Sequence, residues 1–184
     1  MEVAPFTYRP LAKGEIRLLS ISRRGGSIVH SLSTFNLNEA PSFVALSYTW
    51  DGQKPEEDLL VGGDNLKVIK NVKVMLPYLL RHGQSHWFWI DAISINQGHN
   101  AEKSIQVPMM SSIYTRATKT IIWLGEATSQ LDLAFRSVTE LTPRLMAISG
   151  DVSYWIQDHE LTKHKLPDST SPVWMATGSI FLQP

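Results

Sequence analysis

Three short apolar runs, separated by segments with helical periodicity, constrain the fold of this chain more than any other feature. The runs are FVALSYTW (43–50), HWFWID (86–91) and TIIWLG (120–125), each rich in residues that favour β-strands. Apolar residues recur every three or four positions in 71–82, and a second helical segment spans 100–117. Strands that alternate with helices pair in parallel, because each helix returns the chain to the same end of the sheet. The sequence therefore predicts an α/β fold with a mainly parallel central sheet flanked by helices.

Two glycine-rich turns predict hairpins in addition to this alternation. Residues 15–34 alternate apolar and polar positions on either side of Gly25-Gly26, which is typical of an N-terminal β-hairpin. A second hairpin is predicted with arms at 59–61 and 66–69. Its turn is GGDN (62–65), because these residue types tolerate positive φ angles.

The helices carry recognisable end signals, and two of them contain proline. Asn71 and Asn100 are predicted to cap the first and second helices. Pro77 and Pro108 lie inside the helical patterns, and because an internal proline removes a backbone hydrogen bond, we expect a bend or a break at each. A capping-box pattern at 129–132 predicts the start of a third helix.

Composition limits the classes of partner and cofactor. With 17 basic and 17 acidic residues the chain has no net charge to attract nucleic acid or an anionic membrane. It has no cysteine, no apolar run long enough to span a membrane and no secretory leader, so we expect a cytoplasmic protein. His159 and His164 are five positions apart and therefore on different helix faces, so we expect no metal site there. No phosphate-binding glycine motif is present in the sequence.

Polar residues follow the predicted strands, where parallel sheets usually bind ligands. Asp91 can act as a base, bind a ribose hydroxyl, or accept backbone N–H groups from residues 93–97 and so hold the amides behind it. The structural role is the favoured one, because buried polar groups need partners whether or not a ligand exists. Trp50 is the tryptophan that we would test for ligand contact. The candidate ligand-binding residues are Tyr48, Trp50, Asp91, Asn96 and Gln97.

The same strand ends resemble the fungal heterokaryon incompatibility (HET) domain. Its recurrent blocks are A-L-S-Y-x-W-G, W-I-D-A-x-C-I-N-Q, and M-x-x-I-Y-x-x-A followed by W-L-G. They correspond here to residues 45–50, 89–97, 110–117 and 123–125. Glu15-Ile16-Arg17-Leu18-Leu19 and Glu102-Lys103 agree as well, whereas Asp51 replaces the usual Gly and Ser94 the usual Cys.

The resemblance implies a signalling module in fungal nonself recognition and programmed cell death, acting through protein partners or self-association. HET domains are in turn distantly similar to Toll/interleukin receptor (TIR) domains, flavodoxin-like modules that assemble as scaffolds or cleave NAD. The alternative function is therefore a TIR-like NAD glycohydrolase with NAD as its substrate. Its candidate catalytic residues are the nearest carboxylates, Asp91 and Glu102, and in the signalling interpretation Asp91, Asn96 and Gln97 are architectural.

The resemblance also predicts the domain organisation. The family's next block, W-F-x-R-V-W-x-x-Q-E, is not found before the last residue of the sequence. We therefore expect 1–184 to be a single but incomplete HET domain, with 8–126 as the best-matching core and 150–184 as an irregular tail with a short helix. A truncated, inactive HET fragment is the third interpretation, and we expect this chain to hydrolyse NAD poorly or not at all.

Overall fold

The computed structural model describes residues 3–80 and 87–126, and beyond these only single positions between 129 and 140 and residue 171. The chain divides into two compact units, Met1–Gly125 and Glu126–Pro184. The described part of the first unit contains seven strands and three helices. These are β1 (Glu15–Arg24), β2 (Ser27–Asn36), β3 (Val44–Tyr48), β4 (Glu57–Val61), β5 (Asp64–Val68), α1 (Lys70–Leu79), β6 (Trp87–Trp89), α2 (Asp91–Ser94), α3 (Asn100–Arg116) and β7 (Lys119–Trp123).

The three predicted parallel strands are adjacent in one sheet, as expected. The sheet has five strands in the order β2-β1-β6-β3-β7, and β3 pairs in parallel with both β6 and β7. The sheet as a whole is mixed, however, and the expectation of a mainly parallel sheet is only partly right. β1 pairs antiparallel with β2 and with β6, because the N-terminal hairpin joins the sheet instead of standing apart from it.

Both predicted hairpins are present. β1 and β2 are joined at Gly25 and Gly26, whose φ angles of +55° and +84° are readily adopted only by glycine. β4 and β5 form a separate two-stranded sheet, and the turn between them consists of Gly62 and Gly63. Asp64 and Asn65, which were expected in this turn, belong to β5.

The sheet is covered by a helix on each face. Alternate residues of one strand contribute to different cores: Phe88 belongs to the first, with the buried side of α1, and Trp89 to the second, with Ile113 of α3. The β4–β5 sheet adds its apolar side chains to the first core. Burying both faces explains why β3 and β6 carry apolar residues at consecutive positions instead of alternating. β7 lies at the end of the strand order and differs: its residues are exposed or half-buried, and Ile122 is 68% exposed, so the prediction of a third buried strand was wrong.

The helices differ from the sequence prediction at their ends and prolines. α1 and α3 each run as one element through Pro77 and Pro108, so neither proline ends its helix. A proline costs one hydrogen bond, but its fixed φ suits a helix, and in α3 buried side chains on both sides of Pro108 hold the helix in place. α1 begins at Lys70, and Asn71 donates its side-chain N–H to the carbonyl oxygen of Thr49 (2.9 Å) instead of capping.

The cap of α3 is His99 and not Asn100. The ring Nδ1 of His99 accepts a hydrogen bond from the backbone N–H of Glu102 at 3.1 Å, which satisfies a donor of the first turn. A neutral ring in this role carries its proton on Nε2.

In the second unit the described positions 129, 132, 133, 136, 137, 139 and 140 are helical, as the third helical pattern predicts. An ion pair joins Asp132 to Arg136 one turn later, at 2.8 Å. The predicted helix start at 129–132 and the tail 150–184 lie largely outside the described residues. No helix in the described part of the chain has the length and apolar character to cross a membrane.

Candidate functional site

Tyr48, Trp50 and Asp91 meet where β3 and β6 end. The phenol of Tyr48 donates to Asp91 Oδ1 at 2.5 Å, and the indole Nε1–H of Trp50 donates to Oδ2 at 3.0 Å. The backbone N–H of Ala92 also donates to Oδ1, at 2.8 Å. Both carboxylate oxygens are therefore hydrogen-bonded by groups of the protein itself.

The predicted partners of Asp91 were wrong. The strand ends at Trp89, and Asp91 is the first residue of the short helix α2. The backbone N–H groups of Ile93 and Ser94 donate to the carbonyl oxygen of Ile90, and that of Ile95 donates to the carbonyl of Asp91. Because the helical turn satisfies these three donors, the carboxylate bonds across to β3.

The two amides behind Asp91 stabilise their own loop. Gln97 Nε2 donates to the backbone carbonyl of Asp91 at 2.9 Å, and Asn96 Oδ1 accepts from the N–H of Gly98 at 3.2 Å. The backbone N–H of Asn96 donates to Glu102 Oε1 at 2.8 Å. Asn96 and Gln97 were predicted to lie with Asp91. The side chain of Gln97 contacts the backbone carbonyl of Asp91 and not its carboxylate, and the hydrogen bonds of Asn96 go to Gly98 and Glu102.

Tyr114 is a member of this site that the sequence analysis did not propose. Its phenol donates to the carbonyl oxygen of Leu46 at 2.9 Å, and its ring packs edge-on against Trp89 with centroids 5.6 Å apart. Burial and the negative charge of Asp91 raise the pKa of Tyr114 and, more strongly, that of Tyr48. The signal was its place in the M-x-x-I-Y block, one helical turn after Met110.

Glu102, the second candidate catalytic carboxylate, lies in a separate buried ion pair with Arg17. Arg17 Nη1 donates to Glu102 Oε1 at 2.6 Å and Nη2 donates to Oε2 at 3.0 Å, so the contact is bidentate. Arg17 is 2% exposed and Glu102 9%. Burial raises the pKa of Glu102, but hydrogen bonds from Arg17 and from the Asn96 N–H outweigh it and hold the pKa below its usual value.

Arg17 ties the N-terminal segment to the loop after β6. Its guanidinium also donates to the carbonyl oxygens of Ser94 (3.0 Å) and Arg9 (2.6 Å) and lies 4.8 Å from the ring centre of Tyr8. The phenol of Tyr8 donates to the carbonyl of Ile93 at 2.9 Å, and burial raises its pKa to about 12. Arg17 was not among the site residues predicted from the sequence. A cation within an apolar strand was the available signal, because a buried charge requires a partner.

Neither candidate catalytic carboxylate has an oxygen that is free of hydrogen bonds from the protein. Asp91 and Glu102 each accept hydrogen bonds from protein donors on both oxygens. Among the described residues no group of three or more His, Asp or Glu side chains is arranged to hold a metal ion. The geometry therefore joins the strand ends to one another and to the N-terminal segment.

Comparison with known proteins places the chain in a family. The family model Heterokaryon incompatibility protein (HET) matches residues 43–175, well over half of the chain. Heterokaryon incompatibility protein 6, OR allele, of Neurospora crassa is 28% identical over 160 residues, which cover 75% of this chain and 23% of that protein. The chain thus spans about a quarter of the length of this curated relative. No solved structure matches the chain. The chain belongs to the heterokaryon incompatibility (HET) family.

Proposed function

We propose that this chain is a signalling module of fungal heterokaryon incompatibility, the nonself recognition that ends in regulated cell death. Membership of the HET family and the name of the Neurospora crassa relative support the biological process. The mode of action is contact with protein partners or with further copies of the chain. The observation that favours such a non-catalytic mode is that Tyr48 and Trp50 donate hydrogen bonds to both oxygens of Asp91.

Occupied carboxylates favour a structural over a catalytic role. A general base or nucleophile must direct a lone pair at the substrate, within hydrogen-bond reach of the reacting atom. Use of Asp91 as a base would weaken its hydrogen bonds from two partly buried donors, and use of Glu102 would weaken its contact with a buried guanidinium. Removing one partner of a buried charge pair is costly, about 3 to 5 kcal/mol. NAD hydrolysis by these two residues is therefore the less favoured function.

We also infer that the central sheet is of the TIR and flavodoxin-like type. The order β6-β3-β7 puts the first of the three parallel strands between the second and the third, which is the order at the start of a flavodoxin-like sheet. α1 packs on one face and α3 on the other. In such a fold the carboxyl end of β3 is the usual ligand position, and here Tyr48, Trp50 and Asp91 fill it with mutual hydrogen bonds.

Expression in a fungal host tests the proposed function. The full 184-residue chain is placed under an inducible promoter, and cell viability and cellular NAD are followed together. We expect induction to reduce viability before NAD falls, and Asp91→Ala to abolish the effect. Glu57→Ala, which changes an exposed carboxylate of β4, is the matched control and keeps the effect.

Two results would contradict the proposal. One is the absence of any response in the host despite accumulation of the folded chain. The other is nicotinamide release from NAD by the purified chain that disappears in Asp91→Asn or Glu102→Gln while circular dichroism is unchanged. The second result would establish the hydrolase in place of the signalling module.

A further inference from the structure

The tip of the β1–β2 hairpin carries a serine with two arginines before it. Its sequence is RRGGSI (23–28), in which Arg24 precedes Ser27 by three positions and Arg23 by four. All three side chains are exposed. Residues 16–38 include no acidic side chain, and the ion pairs formed among the described residues use other cations. The tip is therefore a small cationic surface beside one hydroxyl group.

This tip is accessible to an enzyme. In the described part of the chain, the pairing of β1 with β6 extends no further along β1 than Ser20. A Cβ built on Gly25 or Gly26 would meet no atom within 4 Å, so the turn has open space around it. Arg24 and Ser27 form the last cross-strand pair before the turn. Because both are exposed, opening this pair uncovers no buried side chain, and hairpin ends of this kind open at low cost.

The residues around Ser27 match the substrate pattern of arginine-directed protein kinases. Such enzymes select an arginine three positions before the target serine, because acidic groups of the kinase pair with the guanidinium. An apolar residue directly after the serine packs beside the active site, and here it is Ile28, which is 40% exposed. The segment must become extended to fit. Gly25 and Gly26 permit this change, because glycine adopts extended and turn conformations with similar ease.

We propose that Ser27 is a phosphorylation site for an arginine-directed protein kinase, and that its phosphate pairs with Arg24 across the hairpin. The co-substrate is a nucleoside triphosphate with Mg²⁺. The Oγ of Ser27 attacks the γ-phosphorus, and a new O–P bond forms as the bond from that phosphorus to the β,γ-bridging oxygen breaks. The nucleoside diphosphate leaves, and the hydroxyl proton passes to a carboxylate of the kinase. The site is separate from the proposed signalling function, and it is measured on the purified chain without any cellular response.

The strand register supports the pairing of the phosphate with Arg24. Arg24 is directly opposite Ser27, so the two side chains lie on the same face of the hairpin. A phosphate on Ser27 carries a charge of about −1.5 to −2 at neutral pH, and a guanidinium binds such a group with two parallel hydrogen bonds. Arg23 lies on the other face, opposite Ile28. The same arginine therefore guides the kinase and holds the product.

Phosphorylation of the purified chain tests the proposal directly. The folded 184-residue chain is incubated with ATP, Mg²⁺ and the catalytic domain of a calcium/calmodulin-dependent protein kinase, and the modified residues are located by mass spectrometry. We expect phosphate on Ser27 and none on Ser20. Ser20 is an internal control, because Arg17 precedes it by the same three positions. Arg17 is only 2% exposed, however, and Ser20 is paired on both sides within the sheet.

Two matched arginine variants separate the motif from general charge. Arg24→Ala should lower kcat/KM for Ser27 at least about tenfold, as expected for the loss of a hydrogen bond to a charged group. Arg23→Ala removes an equal charge but should lower kcat/KM less than about threefold, because a charge contact without fixed geometry is weak. Both side chains are exposed, so both variants should keep the melting temperature of the original chain.

A ³¹P NMR titration tests the contact that the phosphate makes. The second pKa of the phosphate on Ser27 should be lower in the original chain than in Arg24→Ala after prolonged incubation with the kinase. The reason is that a nearby guanidinium favours the dianion over the monoanion. Arg23→Ala should leave this pKa close to that of the original chain, because Arg23 lies on the other face of the hairpin.

Four results would overturn the proposal. The first is that Ser27 stays unmodified while the same kinase phosphorylates a reference peptide. The second is that Ser20 is modified to the same extent, which would mean that the kinase acts on unfolded chains. The third is an equal loss of kcat/KM in Arg23→Ala and Arg24→Ala, which would reduce the motif to general charge. The fourth is a phosphate pKa that is the same with and without Arg24.

Discussion

Replacing Glu102 by alanine should destabilise the chain more than any surface substitution. The change removes three hydrogen bonds accepted by the carboxylate, two from Arg17 and one from the backbone of Asn96. It leaves a guanidinium that is 2% exposed without a counter-ion. Breaking a buried pair in this way costs about 3 to 5 kcal/mol, a large share of the roughly 5 to 15 kcal/mol by which a domain is stable.

A double-mutant cycle separates the ion pair from the other contacts. Arg17→Met alone leaves Glu102 buried with a single backbone donor and should also be strongly destabilising. The double variant Arg17→Met with Glu102→Leu removes both charges and keeps apolar volume. Its cost in free energy of unfolding should therefore fall well below the summed costs of the single variants Arg17→Met and Glu102→Leu. We expect an interaction free energy of about 2 to 3 kcal/mol.

Urea unfolding followed by circular dichroism and tryptophan fluorescence measures these differences. The slope of free energy against urea should stay constant across the variants, so that the midpoints report stability alone. Asp58→Ala is the control, because the ion pair that it breaks with Lys67 joins side chains that are 62% and 54% exposed. Its midpoint should be close to that of the unmodified chain. Additive effects of Arg17→Met and Glu102→Leu, or a cost below about 1 kcal/mol for Glu102→Ala, would refute the buried-pair reasoning.

The ion pair also predicts the acid side of the stability curve. The pKa of Glu102 in the folded chain lies below its ordinary value of 4.5, so the unfolded chain takes up this proton first as the pH falls. The stabilisation from Glu102 is therefore present above pH 4.5 and is lost as the pH falls below it. Urea midpoints measured between pH 6 and pH 3 should fall less steeply for Glu102→Gln than for the unmodified chain.

Three further predictions concern the strand ends, the tyrosines and the long hairpin. Tyr48→Phe and Asp91→Ala should each lower the free energy of unfolding by about 1 to 3 kcal/mol, and an unchanged thermal melt would show that the bond is not formed in solution. Because the folded pKa of Tyr8 is about 12 and its ordinary value is 10, stability should fall as the pH rises from 10 to 12, and Tyr8→Phe should reduce that fall in urea midpoints. Gly26→Ala should cost about 1 kcal/mol, because φ is +84° there, whereas Gly98→Ala, where φ is not positive and the new Cβ lies 3.5 Å from Asn96 Oδ1, should cost less in the same assay.

Local pattern was sufficient for the elements of the sheet but not for the pairing of its antiparallel part. The runs that became β3, β6 and β7 are apolar at consecutive positions, which predicts buried strands and hence a parallel core. The parallel pairing is confirmed for all three, whereas burial is confirmed for most of β3 and β6 and not for β7, which is exposed or half-buried. The hairpin of β1 and β2 is local, and its turn glycines are visible in the sequence. That β1 would pair with β6 depends on contacts such as Leu19 opposite Phe88, which no periodicity encodes.

The candidate site was predictable as a set of positions but not as a set of contacts. Tyr48 and Asp91 are 43 positions apart, and Arg17 and Glu102 are 85 apart. Sequence position places the first two at strand ends. It does not show that the N–H groups of 93–95 form the hydrogen bonds of a helical turn. Because these donors are used there, the carboxylate of Asp91 accepts hydrogen bonds from Tyr48 and Trp50 instead. The missed partner, Arg17, follows from the general rule that a charge in an apolar strand must be paired.

In this chain, the sequence blocks that identify a HET domain form hydrogen bonds with one another. The first block supplies Tyr48 and Trp50 to Asp91 of the second, and Tyr114 of the third donates to the main chain of the first. A signature built from mutual hydrogen bonds specifies a framework, because changing one block leaves buried donors or acceptors of another unpaired. Membership of the family therefore predicts how the strand ends are held together more directly than it predicts a reaction.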